Sequence, residues 1–405
     1  MRWNKDFILA GVLALVLSFV LFGNGIGGDF VFDDTIVIVG NPFIGGQPSG
    51  FWNIFTDPYF AHQPRPGLYR PLTIASYSLN AFIFGSSPAS FHVVNILLHA
   101  LVSFLVFVLI YKLSGKLSAW IGVLFFMFLP IHVEAVTSIV GRAEILALLF
   151  LTGAVLFVIE KKYVPASGLF FLSLLSKEIA VSFLPVWLFI EFGWHRSKIQ
   201  AVYKKFLYFI PAILVYSVLR YVALGKYFLQ NDATPVYNPI KFTSFLTGFW
   251  TSFKVFYFYI AKTFWPSSLS IDYSFNQIHV VENPFRSIET FLGIIILVLV
   301  AVLFFKTKNF LLRFGIFVFL ASYFVISNWV FKTGTIMAER LMYMPSLGLV
   351  IMAAVFMNNH LSIITNKLFR KLLLSTFYFL LSSLLAWYGY VIIDRNKDWL
   401  SNKNL

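Results

Sequence analysis

Asp33 and Asp34 stand side by side in the stretch GGDFVFDDTIVIVGNP, residues 27 to 42, directly after the first apolar run of the chain. An ionised carboxylate at bilayer depth costs about 2.5–3.5 kcal/mol even on a lenient insertion scale, so the pair belongs where water or a cation reaches it. Paired acids of this kind suit the removal of a proton from a hydroxyl nucleophile. Ionisable groups then recur in short stretches between apolar segments: Arg70, His132 and Glu134 in PIHVEAV, Arg142 and Glu144 in GRAEIL, Lys177 and Glu178 in LLSKEIAV, Asp272, and Glu339 and Arg340 in IMAERLMY. Arg142, Lys177 and Arg340 suit a phosphate, arginine because its planar fork grips two oxygens and lysine as a point charge. At a membrane surface that phosphate belongs to a lipid. The combined chemistry is transfer of a group from a lipid phosphate to a hydroxyl, with Asp33 or Asp34 as base and the cations stabilising the leaving phosphate. In an extended segment neighbouring side chains face opposite ways, so one of the two acids points at the reacting centre and either can be that one.

Any single ionisable pair is more often an interfacial anchor or a structural ion pair than a site. His92 and His99, seven residues apart, read as a packing stripe on one helix face. The case for chemistry rests on the whole set gathering on one side of the membrane, while the other side carries simple Lys and Arg flanks.

Composition fixes the setting in which these groups must be held. The 405 residues are 59% hydrophobic and 12% charged, with a mean hydropathy of +0.82, which no soluble core could absorb. The net charge of +14 sits in short clusters at the ends of apolar segments and so reads as topology signals and phosphate ligands; no nucleic-acid partner is expected. There is no cysteine, and the seven histidines form no ligand pattern. The acids with His62 and His132 offer hard ligands that suit Mg or Mn but no spacing resembling a cation cage, so no cofactor is expected and a divalent metal stays the alternative.

Spans are expected at about residues 7–22, 91–111, 117–131, 145–160, 164–175, 179–193, 206–223, 287–305, 310–331, 342–357 and 372–393, about eleven in all. Residues 72–84, too short to span and opened by Pro71, are expected as an interfacial helix. The segment 242–265 carries Lys254 and Lys262, and counting it as a span would put the basic clusters at 306–313 and 367–371 outside; it is expected on the membrane surface or as a re-entrant segment. Arg2 and Lys5 then place the N-terminus in the cytoplasm. The first outer loop (23–90, with Asp29, Asp57, His62 and Arg65 besides the residues above), the second outer segment (224–286) and the C-terminus lie on the outer side. The chain reads as one membrane domain, 1–405, and its helical spans fit a bacterial inner membrane.

The blocks YRPLTIASYSLN at 69, FHVVNILLHA at 91, PIHVEAVTSIVGRAEILA at 130, LLSKE at 174, LSIDYSF at 269 and AERLMYMPSLG at 338 resemble the membrane half of the transmembrane-and-TPR protein O-mannosyltransferases and their bacterial relatives, from about Asp29 to Trp399. That resemblance implies the all-α GT-C glycosyltransferase fold, a sugar donor carried on a polyprenyl phosphate, and correspondence of Asp33 and Asp34 to the family's acidic motif. It implies transfer of a monosaccharide, mannose foremost, to a hydroxyl acceptor, protein Ser/Thr or alternatively a glycan or lipid. Arg142, Lys177 and Arg340 are assigned to the donor phosphate, and Arg70, His132, Glu134, Glu144, Glu178, Glu339 and Asp272 to supporting, acceptor or sugar contacts. Family members continue past a DW block into tetratricopeptide repeats, whereas this sequence ends at RNKDWLSNKNL, so a relative without the repeats is expected. The competing reading is a transporter or flippase for lipid-linked sugars, which would place its charges near the bilayer centre.

Overall fold

The computed structural model describes residues 5–45, 48–60, 67–230, 233–363 and 367–403; His62 and Arg65 lie outside them. Among the described residues the chain forms helices and turns without strands. The α-helices are α1 (Lys5–Phe22), α2 (Pro71–Phe84), α3 (Pro88–Ser114), α4 (Lys116–Phe128), α5 (Val133–Thr137), α6 (Arg142–Ile159), α7 (Tyr163–Ser176) and α8 (Phe183–Gly193). They continue with α9 (Ile199–Phe206), α10 (Ile210–Leu224), α11 (Phe245–Phe264), α12 (Ile288–Lys306), α13 (Phe310–Ile326), α14 (Tyr343–Ile363) and α15 (Lys367–Arg395). Five stretches are long and apolar enough to cross a membrane: Lys5–Gly25, Pro88–Ser114, Ile139–Ile159, Ile288–Lys306 and Glu339–Asn358. Two bent pairs, Lys116–Phe128 with Pro130–Thr137 and Ile199–Phe206 with Ile210–Tyr227, raise the number to seven. The protein is therefore an all-α, multi-pass membrane protein; the expected eleven would add α7, α8, α13 and α15.

Local sequence explains where the helices stop. Pro130, which has no N–H to continue α4, is followed by a 56° change of direction. Pro71 and Pro88 occupy the first helical positions of α2 and α3, where a missing N–H costs nothing. α13 ends at Ile326, short of the expected 331, because Asn328 turns into the left-handed region (φ +59°). Its side chain then binds Asn238, Thr333 and Ile336 in place of a helical ladder.

In lipid the bundle gains little from hiding apolar surface, so close helix approach must hold it together. α13 and α14 meet this need through Gly315 and Gly348. A Cβ on Gly348 would lie 2.3 Å from the Phe319 nitrogen and 2.5 Å from the Gly315 oxygen, so only glycine permits the contact. Exposed apolar side chains on α1, including Ile8, Val12, Val16 and Val20, form an outward face of the kind lipid covers.

The helix ends fall into two sets. At one end the Lys112–Glu160 and Lys116–Asp6 pairs gather among the basic flanks. At the other lie the acidic loop, the start of α3, residues 129–142 and 176–182, the start of α14 and the close of α15. α11, predicted over 242–265 as a surface or re-entrant segment, is one continuous helix with several partners toward this second end. The Thr290 hydroxyl bonds the Trp250 oxygen at the opening of α12, Tyr259 meets Tyr323 near the close of α13, and Tyr388 near the close of α15 donates to the Phe264 oxygen (2.8 Å).

Candidate active site

The two adjacent acids have different surroundings, and the cause is a turn where an extended segment was expected. Phe32 adopts a left-handed conformation (φ +51°), after which the Asp34 nitrogen donates to the Val31 oxygen (2.9 Å) and residues Thr35–Val39 continue as a helical turn. The reversal carries Asp34 inward. Its carboxylate is fully buried and accepts the backbone N–H groups of Val31 (3.2 Å) and Val140 (2.9 Å). Burial pushes the Asp34 carboxyl up to about 7, against the opposing pull of those two hydrogen bonds. Asp33 turns the other way, stays 25% exposed at its side chain, and faces the Arg340 guanidinium at 3.7 Å.

Arg340 is fixed on its far side by Glu134. One Glu134 oxygen accepts the Arg340 backbone N–H (2.8 Å) and the other pairs with Nη1, leaving Nη2 toward Asp33 and the side chain 21% exposed. The turn that opens α14 thereby docks on the turn that opens α5. His132, at the same turn, is buried and bonds through Nε2 to the Ser346 hydroxyl (2.8 Å), while His99 meets the Tyr343 hydroxyl (2.7 Å). These histidines brace α3, α14 and the 130–132 turn, in line with the packing stripe expected at His99. Lys177 and Glu144 form a buried ion pair within electrostatic reach of Arg340 and Arg70. Arg70 binds Glu178 through Nε (3.2 Å) and Nη2 (3.1 Å). Glu339 accepts the Ser270 N–H (2.7 Å) and the Tyr273 hydroxyl (2.5 Å), which ties the segment between α11 and α12 to α14.

Two expected ligands are engaged elsewhere. Arg142 is completely buried: Nε binds the Asn95 oxygen (2.7 Å), Nη1 the Ser76 carbonyl (3.2 Å), and Nη2 both the Asn80 oxygen (2.9 Å) and the Phe91 carbonyl (3.0 Å). The guanidinium also lies over the Tyr77 ring at 4.6 Å. Sealed in this way, it does not fit the expected grip on a phosphate. It shapes the 138–141 turn, whose Val140 N–H holds Asp34. A Cβ on Gly141 would fall 2.2 Å from the Ala135 oxygen, so glycine is required there. The Asp272 carboxylate folds back on Ser274, accepting its N–H (2.8 Å) and hydroxyl (2.5 Å), and so serves its own turn.

Two arginines not singled out in the sequence belong to this end. Arg220 of α10 reaches Glu178 at 3.8 Å and donates to the Gly67 carbonyl (2.8 Å), holding the loop before α2. Arg395, closing α15, pairs with Asp398 and comes within 3.9 Å of Glu339. A lone arginine inside an apolar helix was the available signal for Arg220. Among the described residues no three His, Cys, Asp or Glu side chains are grouped to hold a metal ion.

The chain is 30% identical over 368 residues to a protein O-mannosyl-transferase of Caenorhabditis elegans, an alignment covering 85% of this chain and 50% of that protein. The human protein O-mannosyl-transferase TMTC3 is 27% identical across 95% of this chain and 45% of its own length. The Xenopus laevis protein O-mannosyl-transferase tmtc2 is 24% identical across 98% and 58%. The chain is a homologue of these O-mannosyl-transferases. It spans about half the length of the curated relatives it matches. No family model and no solved structure matches it. The homology runs through all the segments that build the Asp33 end, so in this O-mannosyl-transferase homologue the site is assembled within the shared region. Asp33 and Arg340 are partly exposed there, as is Glu178, and the first two are backed by the buried Glu134 and the Lys177–Glu144 pair.

Proposed function

We propose that this chain transfers a monosaccharide, mannose foremost, from a polyprenyl-phosphate donor to a hydroxyl of a protein acceptor at the outer face of a bacterial inner membrane, in a GT-C-type membrane domain. The observation that carries the reading is the Asp33–Arg340 pair: a partly exposed carboxylate and a partly exposed guanidinium facing each other at the end where the first outer loop folds onto the bundle. Asp33 is the base that takes the acceptor proton. Arg340, held rigid by Glu134, binds the departing lipid phosphate, with the Lys177 charge behind it. The names of the homologues support mannose and a protein acceptor; the lipid-phosphate donor is our reading of the partly exposed Arg340 with the buried Lys177 charge behind it. Incubating purified protein with polyprenyl-phosphate-mannose and a Ser/Thr peptide tests the proposal. Mannosylated peptide with wild-type protein and none with Asp33→Asn is the expected result; equal turnover by both would overturn the assignment of the base.

A further inference from the structure

The segment after α15 is drawn tightly onto the acidic loop. At the loop's start, the Asn396 amide donates to the Leu21 oxygen (2.8 Å) and to Asn24 (2.7 Å), and its oxygen accepts the Thr137 hydroxyl (2.7 Å). Further along, the Asp29 N–H donates to the Leu400 carbonyl (3.0 Å). The Phe32 N–H donates to the Asn402 side-chain oxygen (3.0 Å). Phe32 is the residue whose left-handed backbone sends Asp33 toward Arg340 and Asp34 into the core. A β-carbon disfavours that conformation, so something outside the turn must hold it. The acceptor that reaches its N–H comes from Asn402, 370 positions away in the sequence.

We propose that Asn402 is a positioning residue for the Asp33 carboxylate, acting through the Phe32 N–H. It makes no hydrogen bond to the Asp33 carboxylate or to Arg340. It fixes the turn that decides which of two adjacent acids faces the guanidinium. This inference rests on the reading of Asp33 as the reacting acid.

The test compares Asn402→Leu, which keeps the volume and removes the acceptor, with Asn402→Asp, which keeps an oxygen at the same place, in the full chain with polyprenyl-phosphate-mannose and peptide. Misplacing a reacting group by a fraction of an ångström lowers the rate steeply, so Asn402→Leu is expected to cut kcat by about tenfold or more with donor KM within about twofold. Asn402→Asp is expected to recover most of that loss. Adding Phe32→Gly to Asn402→Leu relieves the disfavoured backbone and is expected to restore part of kcat, an effect that general destabilisation would not give. Amide hydrogen exchange over residues 30–34 supplies a second readout, with faster exchange expected in Asn402→Leu than in Asn402→Asp. Unchanged kcat in Asn402→Leu, where the wild type turns over and Asp33→Asn does not, would overturn the inference alone; unchanged exchange would do so whatever the activity. Absence of mannosyl transfer by the wild type would instead overturn the reading on which it rests.

Discussion

Two acid–guanidinium regions lie a few residues apart at one end of this molecule. Asp34 and Arg142 form a sealed region, in which every hydrogen bond of both groups goes to backbone or to uncharged amides. Asp33 and Arg340 form an open one, in which the two charges face each other partly exposed and Arg340 is anchored from behind by a carboxylate. The residue types are the same and the roles differ. A charge whose donors or acceptors are all taken up by fixed neighbours organises the fold; one with a face left to solvent is available to a ligand.

The sharpest way to break this contrast is Arg142→Ala. Removing a fully buried guanidinium strands Asn80, Asn95 and two carbonyls, so a loss of about 4 kcal/mol or more is expected, seen as little folded protein or a steeply lowered thermal unfolding temperature in detergent. Arg142→Lys should not rescue it, because one ammonium cannot replace a planar fork. A folded Arg142→Ala protein that had lost only donor affinity would erase the distinction. Next in size is Asp33→Asn, expected to lower turnover by about 10²–10⁴-fold while leaving thermal unfolding unchanged. Arg340→Lys keeps the charge but loses the fork and the geometry set by Glu134, and a rise of about tenfold or more in donor KM is expected in a donor titration.

A further way to test the contrast is pH. The Asp34 carboxyl sits near 7 in the folded protein against 3.8 ordinarily, so between those values the folded state keeps a proton that the unfolded chain releases. The stability this group contributes is full below about 3.8, falls as pH rises toward 7, and is flat above. Asp34→Asn should remove that slope from unfolding temperatures measured across the window, whereas Asp33→Asn should leave it in place.

How much of this was legible beforehand differs from residue to residue. The span at 7–22 appears as α1, residues 72–84 as α2, and 91–111 within the longer α3, because apolar runs, flanking prolines and basic ends are local signals. Glu134, Lys177, Glu178, Glu339 and Arg340 were identifiable as ionisable groups stranded in apolar sequence, and the fold brings them to one end. Arg142 carried the same signal as Arg340. Nothing local told them apart, since the difference lies in Asn80, Asn95, Ser76 and Phe91, residues 47 to 66 positions away. Arg220, inside α10, and Arg395, at the close of α15, were passed over because each is a single cation, and only packing supplies Glu178 and Glu339 as neighbours.

The sequence by itself determined that this is a many-helix membrane protein related to O-mannosyl-transferases, with an acidic pair after its first helix, because hydropathy, charge flanks and motif order are written residue by residue. Only the tertiary structure decided which acid is presented and which is buried. That choice depends on one left-handed residue, Phe32, whose N–H is held by Asn402, and on Val140, whose N–H receives Asp34 from more than a hundred positions away. A choice made by contacts between such distant parts of the chain has no local signature.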